Sequence, residues 1–396
     1  MLRAVLFDFD YTLGDTTDGI TAAINHALSE MGYDEHTADE VRPTIGLSLQ
    51  EAFWILTKDN STEAANEFYG RFQPWAKKTL RPSAELLPGA GELISSLKAH
   101  GFLIGIVTTK HRHQIVDILG KFGLDRTFDV IIGSEDVSRK KPDPEGLQRA
   151  VSTLGIRKEE TLYVGDSFVD AEAAARASVP FAAVLTGTTS RDRFGEYPTA
   201  AVADDLYGIA DYIKSLPCIV KCTPDETDAV TDFYDSATAY LEATVNYPMW
   251  THGEYPARGD VTEAIANGSQ YAAFDGDRVV GAFVMDTDPR GDYTVGNWSV
   301  YIPEGEYLVV HALGVDHTMA RRGIATEMMR YVLDFAKRLS FPAVRLDVVP
   351  TNTPARALYE GLGFRFAGIH DLDRGFENIP VFTLYEYNIG THFIDR

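Results

Sequence analysis

Cysteine is nearly absent. Cys218 and Cys222 are the only two in 396 residues. Two cannot build a disulfide framework, and with no Cys or His cluster beside them they do not suggest a zinc site. Positive charge is also scarce, with 36 Lys and Arg against 58 Asp and Glu, a formal charge of −22. Nucleic-acid affinity draws on Lys and Arg, so no nucleic-acid partner is expected. The same balance argues against docking to an anionic membrane. No apolar run approaches the ~18 residues of a spanning helix. The apolar start, Met1 to Phe7, is cut short by Asp8 and Asp10. No small-residue cleavage site follows it, so it is not read as a signal peptide and a soluble cytoplasmic protein is expected. There is no internal repeat, no low-complexity tract and no Gly/Ser-rich linker, so any two halves are expected to be closely apposed. What is present is ordinary: 45% hydrophobic and 24% charged residues. Such a composition folds, and the length suits two or three domains.

Residues 4–9 read as a buried strand. Ile20, Ala23, Ile24, Ala27, Leu28 and Met31 then recur at helical spacing up to Gly32. From about 16 to 82 only three or four helices are expected, with Pro43 and Gly46 in one turn and Pro74 in another. Strands at 103–107, 130–132, 162–164, 181–185 and 200–203 then alternate with helices at 111–121, 144–154 and 168–177. The alternation predicts an α/β fold: a Rossmann-like, doubly wound parallel sheet with right-handed crossovers. The helical segment becomes a cap over the sheet's carboxyl edge, where such sheets bind ligands. A helix at 205–216 closes this first domain, 1–216, with core 1–15 and 83–216 and cap about 16–82.

The second domain, 219–396, reads as a mixed-sheet α+β layer. A strand at 219–222 leads into a long helix at 224–247. Strands 271–274 and 279–285 pair across Asp275-Gly276-Asp277 as a hairpin. A strand at 307–315, a helix at 322–339, a strand at 343–349, a helix at 353–361 and strands at 364–369 and 381–387 follow. Residues 286–306 are the least readable stretch.

Asp8 and Asp10, two apart on one expected strand, would leave the same face. Carboxylates that close repel unless a cation offsets them. Mg²⁺ is hard, oxygen-loving and inclined to bridge carboxylate and phosphate. Later strand ends supply what phosphoryl transfer needs. Thr108 offers a hydroxyl to a phosphate oxygen, Lys141 a fixed positive charge, and Asp166 with Asp170 further acids for the metal. Singly, each has a commoner use as a helix cap, a turn acid or a solvated charge. The signal is the whole set in this order. A phosphorylated receiver switch also clusters acids with Thr and Lys. It would need an acceptor Asp on an intervening strand, whereas Asp59 lies in a helical, polar stretch.

With these residues the chain resembles the haloacid-dehalogenase-type hydrolases, in particular phosphoglycolate-phosphatase-like members with a helical cap. The resemblance spans about 1–216. It rests on Asp8-Phe9-Asp10-Tyr11-Thr12-Leu13, Val107-Thr108-Thr109-Lys110, Lys141-Pro142-Asp143-Pro144 and Gly165-Asp166-Ser167 through Asp170. It implies that Asp8 is the nucleophile that becomes an aspartyl phosphate, and that Asp10 is general acid and then base. Thr108 and Lys141 would hold the phosphoryl group. Asp8, the Asp10 backbone carbonyl and Asp166 would hold Mg²⁺, with Asp170 in support. The implied substrate is a small phosphorylated metabolite. A phosphosugar mutase of the β-phosphoglucomutase type shares all four motifs and stays open. Tyr11 stands where the family most often has Gly, which would narrow access, and Thr109 where Asn is usual. Arg42, Arg71, Lys77 and Arg81 in the cap could meet a substrate anion, although helix positives are more often solvated.

In the second domain, Arg321-Arg322-Gly323-Ile324-Ala325-Thr326 opens a helix after a strand that ends His311-Ala312-Leu313-Gly314-Val315. A Gly-bearing turn at a helix N-terminus offers free amides to an anion. One strand later comes Asn-x-x-Ala-x-x-Leu-Tyr-x-x-x-Gly-Phe, from Asn352 through Tyr359 to Phe364. Together these resemble the GNAT acetyltransferases over about 219–390. The resemblance implies that the 321–326 turn grips the coenzyme A pyrophosphate of acetyl-CoA through backbone amides. Asn352 would lie along the coenzyme arm, and Tyr359 would protonate the departing thiolate. The sheet would splay after the 307–315 strand, where amides near Leu313 and Val315 polarise the thioester. Ala320 stands where Gln or Arg is usual, and Ala325 replaces Gly. The acceptor would be an amine. His311, Glu306 and Asp347 are candidate bases, His311 because it titrates in the useful range, although a strand His and a helix-face Tyr are commonly core residues. A sensor that binds acetyl-CoA without turnover also stays open.

Overall fold

The computed structural model describes residues 1–376 and 378–390. It divides into two compact units, Leu2–Lys214 and Ser215 onward with Met1.

In the first unit, β1 (Ala4–Phe7) is buried on both faces, as a central parallel strand must be. The antiparallel ribbon β2 (Gly14–Asp15) and β3 (Glu85–Leu86) brackets the cap. The cap helices are α1 (Thr17–Glu30), α2 (Ala38–Val41), α3 (Leu49–Thr57) and α4 (Thr62–Ser83). Helix α5 (Ala90–Ala99) leads back to β4 (Leu103–Val107), followed by α6 (Arg112–Lys121), β5 (Val130–Ile132), α7 (Glu145–Leu154), β6 (Thr161–Gly165), α8 (Phe168–Ala177), β7 (Phe181–Val184), α9 (Arg191–Phe194), β8 (Thr199–Ala203) and α10 (Leu206–Ser215). The sheet order is β5-β4-β1-β6-β7-β8, all parallel. The order reverses around β1, so the crevice at its carboxyl end is the expected ligand position. Within the cap, α1 and α4 meet closely at Gly19, where a Cβ would come 2.3 Å from Ser83 Oγ.

Two expectations are corrected here. β1 stops at Phe7, not residue 9. Asp8 still donates its N–H to Val164 O (2.9 Å), but the Phe9 carbonyl then accepts from Leu13 and Gly14 N–H in a tight turn. Asp8 and Asp10 therefore do not share one strand face. Pro74 lies inside α4, not in a turn. The buried stripe Ala65, Phe68, Phe72, Ala76 and Leu80 runs straight across it. Gly70, whose carbonyl loses its helix partner to the proline, is exposed to water.

The second unit runs β9 (Cys218–Lys221), α11 (Thr227–Ala243), α12 (Arg258–Ala266), β10 (Gln270–Asp275), β11 (Arg278–Asp286), β12 (Leu308–Val315), α13 (Ile324–Arg338), β13 (Ala343–Val348), α14 (Thr353–Gly361), β14 (Arg365–His370) and β15 (Phe382–Asn388). The sheet order is β14-β15-β13-β12-β11-β10-β9, antiparallel except for β12 with β13. The helix expected to reach 247 ends at Ala243. The β-branched Thr244 and Val245 and then Pro248 discourage its continuation. Strands β12 and β13 pair only at Leu308↔Val344 and Val309↔Arg345. Beyond Val309, β12 keeps only β11 as a neighbour, and the sheet opens into a wedge. Across from Phe283, two residues of β12 face one of β11. This is a β-bulge, with Ala312 at a φ of 48°. No described helix is long and apolar enough to cross a membrane.

Candidate active sites

Asp8, Thr108 and Asp166 each follow one of three adjacent strands, β1, β4 and β6, so their side chains converge at the centre of the sheet. Carboxylate oxygens of Asp8, Asp166 and Asp170 lie within 4.8 Å of one another, and all three residues are buried. Lys141 Nζ enters the group at 2.9 Å from Asp8 and 2.6 Å from Asp170. It also donates to the Tyr163 hydroxyl (3.0 Å). Asp170 is bound on both oxygens: Oδ1 by Lys141 and Tyr163 (2.8 Å), Oδ2 by the Ser167 hydroxyl that caps α8. Asp8 Oδ1 is buried beside Lys141 yet has no aligned hydrogen bond.

Three carboxylates against one ammonium leave a buried negative excess, which burial makes costly. Burial raises the Asp8 pKa to about 6, with Lys141 opposing and Asp170 adding to the rise. Burial raises Asp166 as well, helped by Asp170 and Asp8. Burial alone would lower Lys141, but Asp170 and Asp8 outweigh it and push it up. Two glycines leave room for the acids. A Cβ at Gly187 would come 1.9 Å from Asp166 Oδ2, and one at Gly165 2.6 Å from Asp170 Cβ. An all-oxygen donor set with excess negative charge and an unbonded Asp8 oxygen fits a hard divalent cation.

The Asp10 side chain stands apart from that trio. Its Oδ1 accepts from Thr16 Oγ1 (2.6 Å), and its Oδ2 lies 2.8 Å from Lys110 Nζ. Both of its carboxylate oxygens are thus engaged outside the trio. Thr108 is buried, with Oγ1 accepting from the Lys110 N–H (3.3 Å). Tyr11 sits at a φ of 54°, a left-handed conformation that Gly adopts without strain. Its hydroxyl is 2.6 Å from Thr17 Oγ1, and the Arg42 guanidinium lies 4.6 Å over its ring. Arg42 also donates to Thr186 O (3.2 Å), so it is a fastening between cap and core loops, not a solvated charge. Arg71 pairs with Glu67 and Glu30, and Arg81 with Asp117.

In the second unit the wedge between β12 and β13 is bordered by backbone features. The Tyr234 hydroxyl donates to Ala312 O (2.8 Å) and steadies the bulge. Leu313 and Val315 are half-buried beside it. Arg321 (φ 63°) and Gly323 (φ 83°) turn the chain into α13. Arg321, Arg322 and Gly323 are exposed, Ala325 and Thr326 half-buried, and Ile324 anchors the turn in the core. Asn352 caps α14, its side chain accepting from the Ala355 N–H (3.3 Å). Tyr359 on α14 is buried with its ring 5.8 Å from that of Phe364 and 6.0 Å from that of Tyr385. Burial, then the Asp347 charge, raises its pKa.

The three candidate bases differ. Glu306 is exposed. Asp347 is occupied by Arg374 on both oxygens (2.7 and 2.9 Å) and by the Tyr293 hydroxyl (2.7 Å). His311 is buried, with Nε2 2.8 Å from the Asp288 carbonyl. A carbonyl only accepts, so Nε2 carries a proton, and Asp286 Oδ1 lies 3.6 Å from the same nitrogen.

Residues 5–184 match the model of haloacid dehalogenase-like hydrolases. The pyrophosphatase PpaX of Halalkalibacterium halodurans is 33% identical over 212 residues, covering 54% of this chain and 97% of that protein. The family is therefore settled. The chain belongs to the haloacid dehalogenase-like hydrolases. A phosphoglycolate phosphatase of Cereibacter sphaeroides is 35% identical over 190 residues, 47% of this chain and 86% of that protein. A crystal structure of a haloacid dehalogenase-like hydrolase from Bacteroides fragilis, 39% identical, superposes with a TM-score of 0.50 over 52% of this chain and 98% of that one. Residues 231–364 match the acetyltransferase (GNAT) family. This hydrolase thus carries a phosphatase domain and a GNAT acetyltransferase domain in one chain.

Sequence reasoning missed several residues that shape the hydrolase site. Lys110, two residues after Thr108, had a legible position but no assigned partner. Thr16 reaches Asp10 around the turn after β1 and Gly187 lies against Asp166 from the loop after β7, contacts that only the structure supplies. Tyr163 reads as one more apolar residue of β6.

Proposed function

We propose that the first domain is an Mg²⁺-dependent phosphomonoester hydrolase working through an aspartyl phosphate on Asp8, and that the second is an acetyl-CoA-dependent N-acyltransferase. The observation that carries the first reading is the buried excess of carboxylate at the centre of a parallel sheet, with one lysine inside it. Asp8, Asp166 and the Asp10 carbonyl would hold Mg²⁺, with Asp170, already braced by Lys141 and Ser167, in support. The bound cation would supply positive charge to the phosphoryl oxygens.

Asp8 attacks phosphorus, and the bond from phosphorus to the leaving oxygen breaks. Asp10 gives that oxygen its proton. Asp10 then takes a proton from the water that attacks the phosphoryl group on Asp8, which releases phosphate and frees the carboxylate. The form paired with Lys110 is the base for that second step. For the first, Asp10 must carry a proton and turn from Lys110 toward the leaving oxygen. Lys141 and Thr108 hold the non-bridging oxygens of the phosphoryl group that is transferred. The substrate is a small phosphorylated compound, and phosphoglycolate and pyrophosphate are the first to assay, on the precedent of the relatives' names.

In the second domain the amides of the 323–326 turn receive the coenzyme pyrophosphate. Bound acetyl-CoA supplies the activated acyl group. His311 Nδ1 takes the proton of the amine acceptor, and Tyr359 returns one to the departing thiolate. The support is the wedge after Val309, a buried His311 on β12 and a buried Tyr359 on α14.

A screen of phosphate release over small phosphometabolites, with Mg²⁺ or with chelator, tests the first half. Release that persists in chelator would overturn its metal dependence. Coenzyme release across an amine panel tests the second half, and tight acetyl-CoA binding without turnover on any amine would overturn it.

A further inference from the structure

A second group of metal-ligand side chains lies in the hydrolase unit outside the aspartate site. His111 and His113 open α6, and Glu135 follows β5 in the turn 134–136. One ligand atom from each residue lies within 4.8 Å of the others. The cluster is pre-shaped from several sides. The Arg112 N–H donates to both Glu135 oxygens (2.9 and 3.0 Å), which fixes the carboxylate. The Tyr69 hydroxyl on α4 lies 3.4 Å from His111 Nε2, which leaves His111 Nδ1 facing Glu135 Oε2 and Ser134 Oγ, each at 3.2 Å. That separation is close to the ligand–ligand edge, about 3.4 Å, of a tetrahedral site with bonds of ~2.0–2.2 Å. The His113 ring stacks near His111, with centroids 5.4 Å apart, and is exposed. The Arg112 guanidinium pairs with Asp136, so its charge is drawn off the cluster. An open groove lined by His113, Glu135, Asp117 and Asp125, together with Arg81 and Arg112, gives access; Arg81 pairs with Asp117 as Arg112 does with Asp136.

We propose that His111, His113 and Glu135 form a binding site for a transition-metal cation of the zinc class, with its remaining position open to water. Two imidazoles and one carboxylate favour such a cation over Mg²⁺, which prefers oxygen alone. The two metal sites in this unit would therefore sort cations by donor chemistry. His111 is the residue after Lys110, so occupancy would also fix the turn that carries Asp10's partner.

The test is calorimetric titration of Zn²⁺ into the full chain under saturating Mg²⁺, which keeps the aspartate site filled. The expected result is one zinc site, weakened at least about tenfold by His113→Ala and by Glu135→Gln, each melting as the parent does without zinc. Co²⁺ would show ligand-field absorption that both variants lose. Unchanged Zn²⁺ affinity in both variants, or no zinc uptake by the parent, would overturn the proposal.

Discussion

The chemistry we propose for the two units is built from different material. In the hydrolase unit it is carried by side chains: Asp8, Asp166 and Asp170 are buried together around Lys141. In the acetyltransferase unit much of it is carried by backbone: a bulge at Ala312, left-handed residues at Arg321 and Gly323, and a sheet that parts after Val309. A side-chain site fails when one functional group is removed. A backbone site tolerates substitution as long as the chain keeps its path, so single substitutions should discriminate sharply between the two halves.

The largest effect is expected for Asp8→Asn. Phosphate release should fall on the order of 10⁴-fold or more, as for other covalent nucleophiles, while acetyl-CoA binding is unchanged. Tyr359→Phe tests the side-chain component of the other half. Acyl transfer should slow by about 10²-fold, the scale of general acid catalysis, with coenzyme affinity nearly constant; an unaltered rate would clear Tyr359. Gly187→Ala introduces no charge, yet its Cβ would strike Asp166. Mg²⁺ affinity for phosphate release should weaken about 10–100-fold, the scale of disturbed metal surroundings. If it does not, Asp166 is free to move and the tight cradle is not needed.

The pH response sharpens the same contrast. Native Asp8 keeps its proton up to about pH 6, against about 4 for an unfolded carboxyl. Asp166 shifts the same way. Between those values the native state binds more protons than the unfolded one, so without a cation this cluster loses stability as pH rises through the window. On the proposed mechanism Mg²⁺ would replace the protons. The Mg²⁺-induced rise in Tm should therefore be larger near pH 7.5 than near pH 5, at about 2–4 °C per kcal/mol. An equal rise at both would mean the cation binds elsewhere. The smallest effect is expected for Arg322→Ala. Its exposed charge should contribute less than about tenfold to acetyl-CoA affinity. Loss of binding would show that the turn works through its side chains after all.

Legibility in the sequence follows the same division. Strands β4 and β5 and helices α8 and α14 lie where hydrophobic periodicity puts them, because burial dictates their pattern. Asp8, Thr108 and Asp166 were readable because each follows a strand end and parallel strands bring those ends together, whereas Asp170 enters from α8 and Lys141 from the loop before α7. Asp10's partners were not readable, since Lys110 and Thr16 meet it through a turn with Tyr11 at positive φ. Gly187 is separated from Asp166 by a helix, a strand and a turn, and its role is only to be small. Pro74 reads as a break, but tertiary packing along α4 outweighed the lost hydrogen bond. In the second unit the wedge is legible only through family resemblance, because strand separation leaves no periodic trace. Residues 286–306 stay irregular, with a single short turn of 3₁₀-helix at 293–295, and so had no period to read.

The most direct test of the account is chemical trapping on Asp8. Acid-quenched protein taken during turnover, then reduced with borohydride, converts an aspartyl phosphate into homoserine that peptide mass spectrometry locates. The account predicts homoserine at position 8 and none in Asp8→Asn. Steady phosphate release with no reduced residue at Asp8, or with reduction at another aspartate, would contradict it.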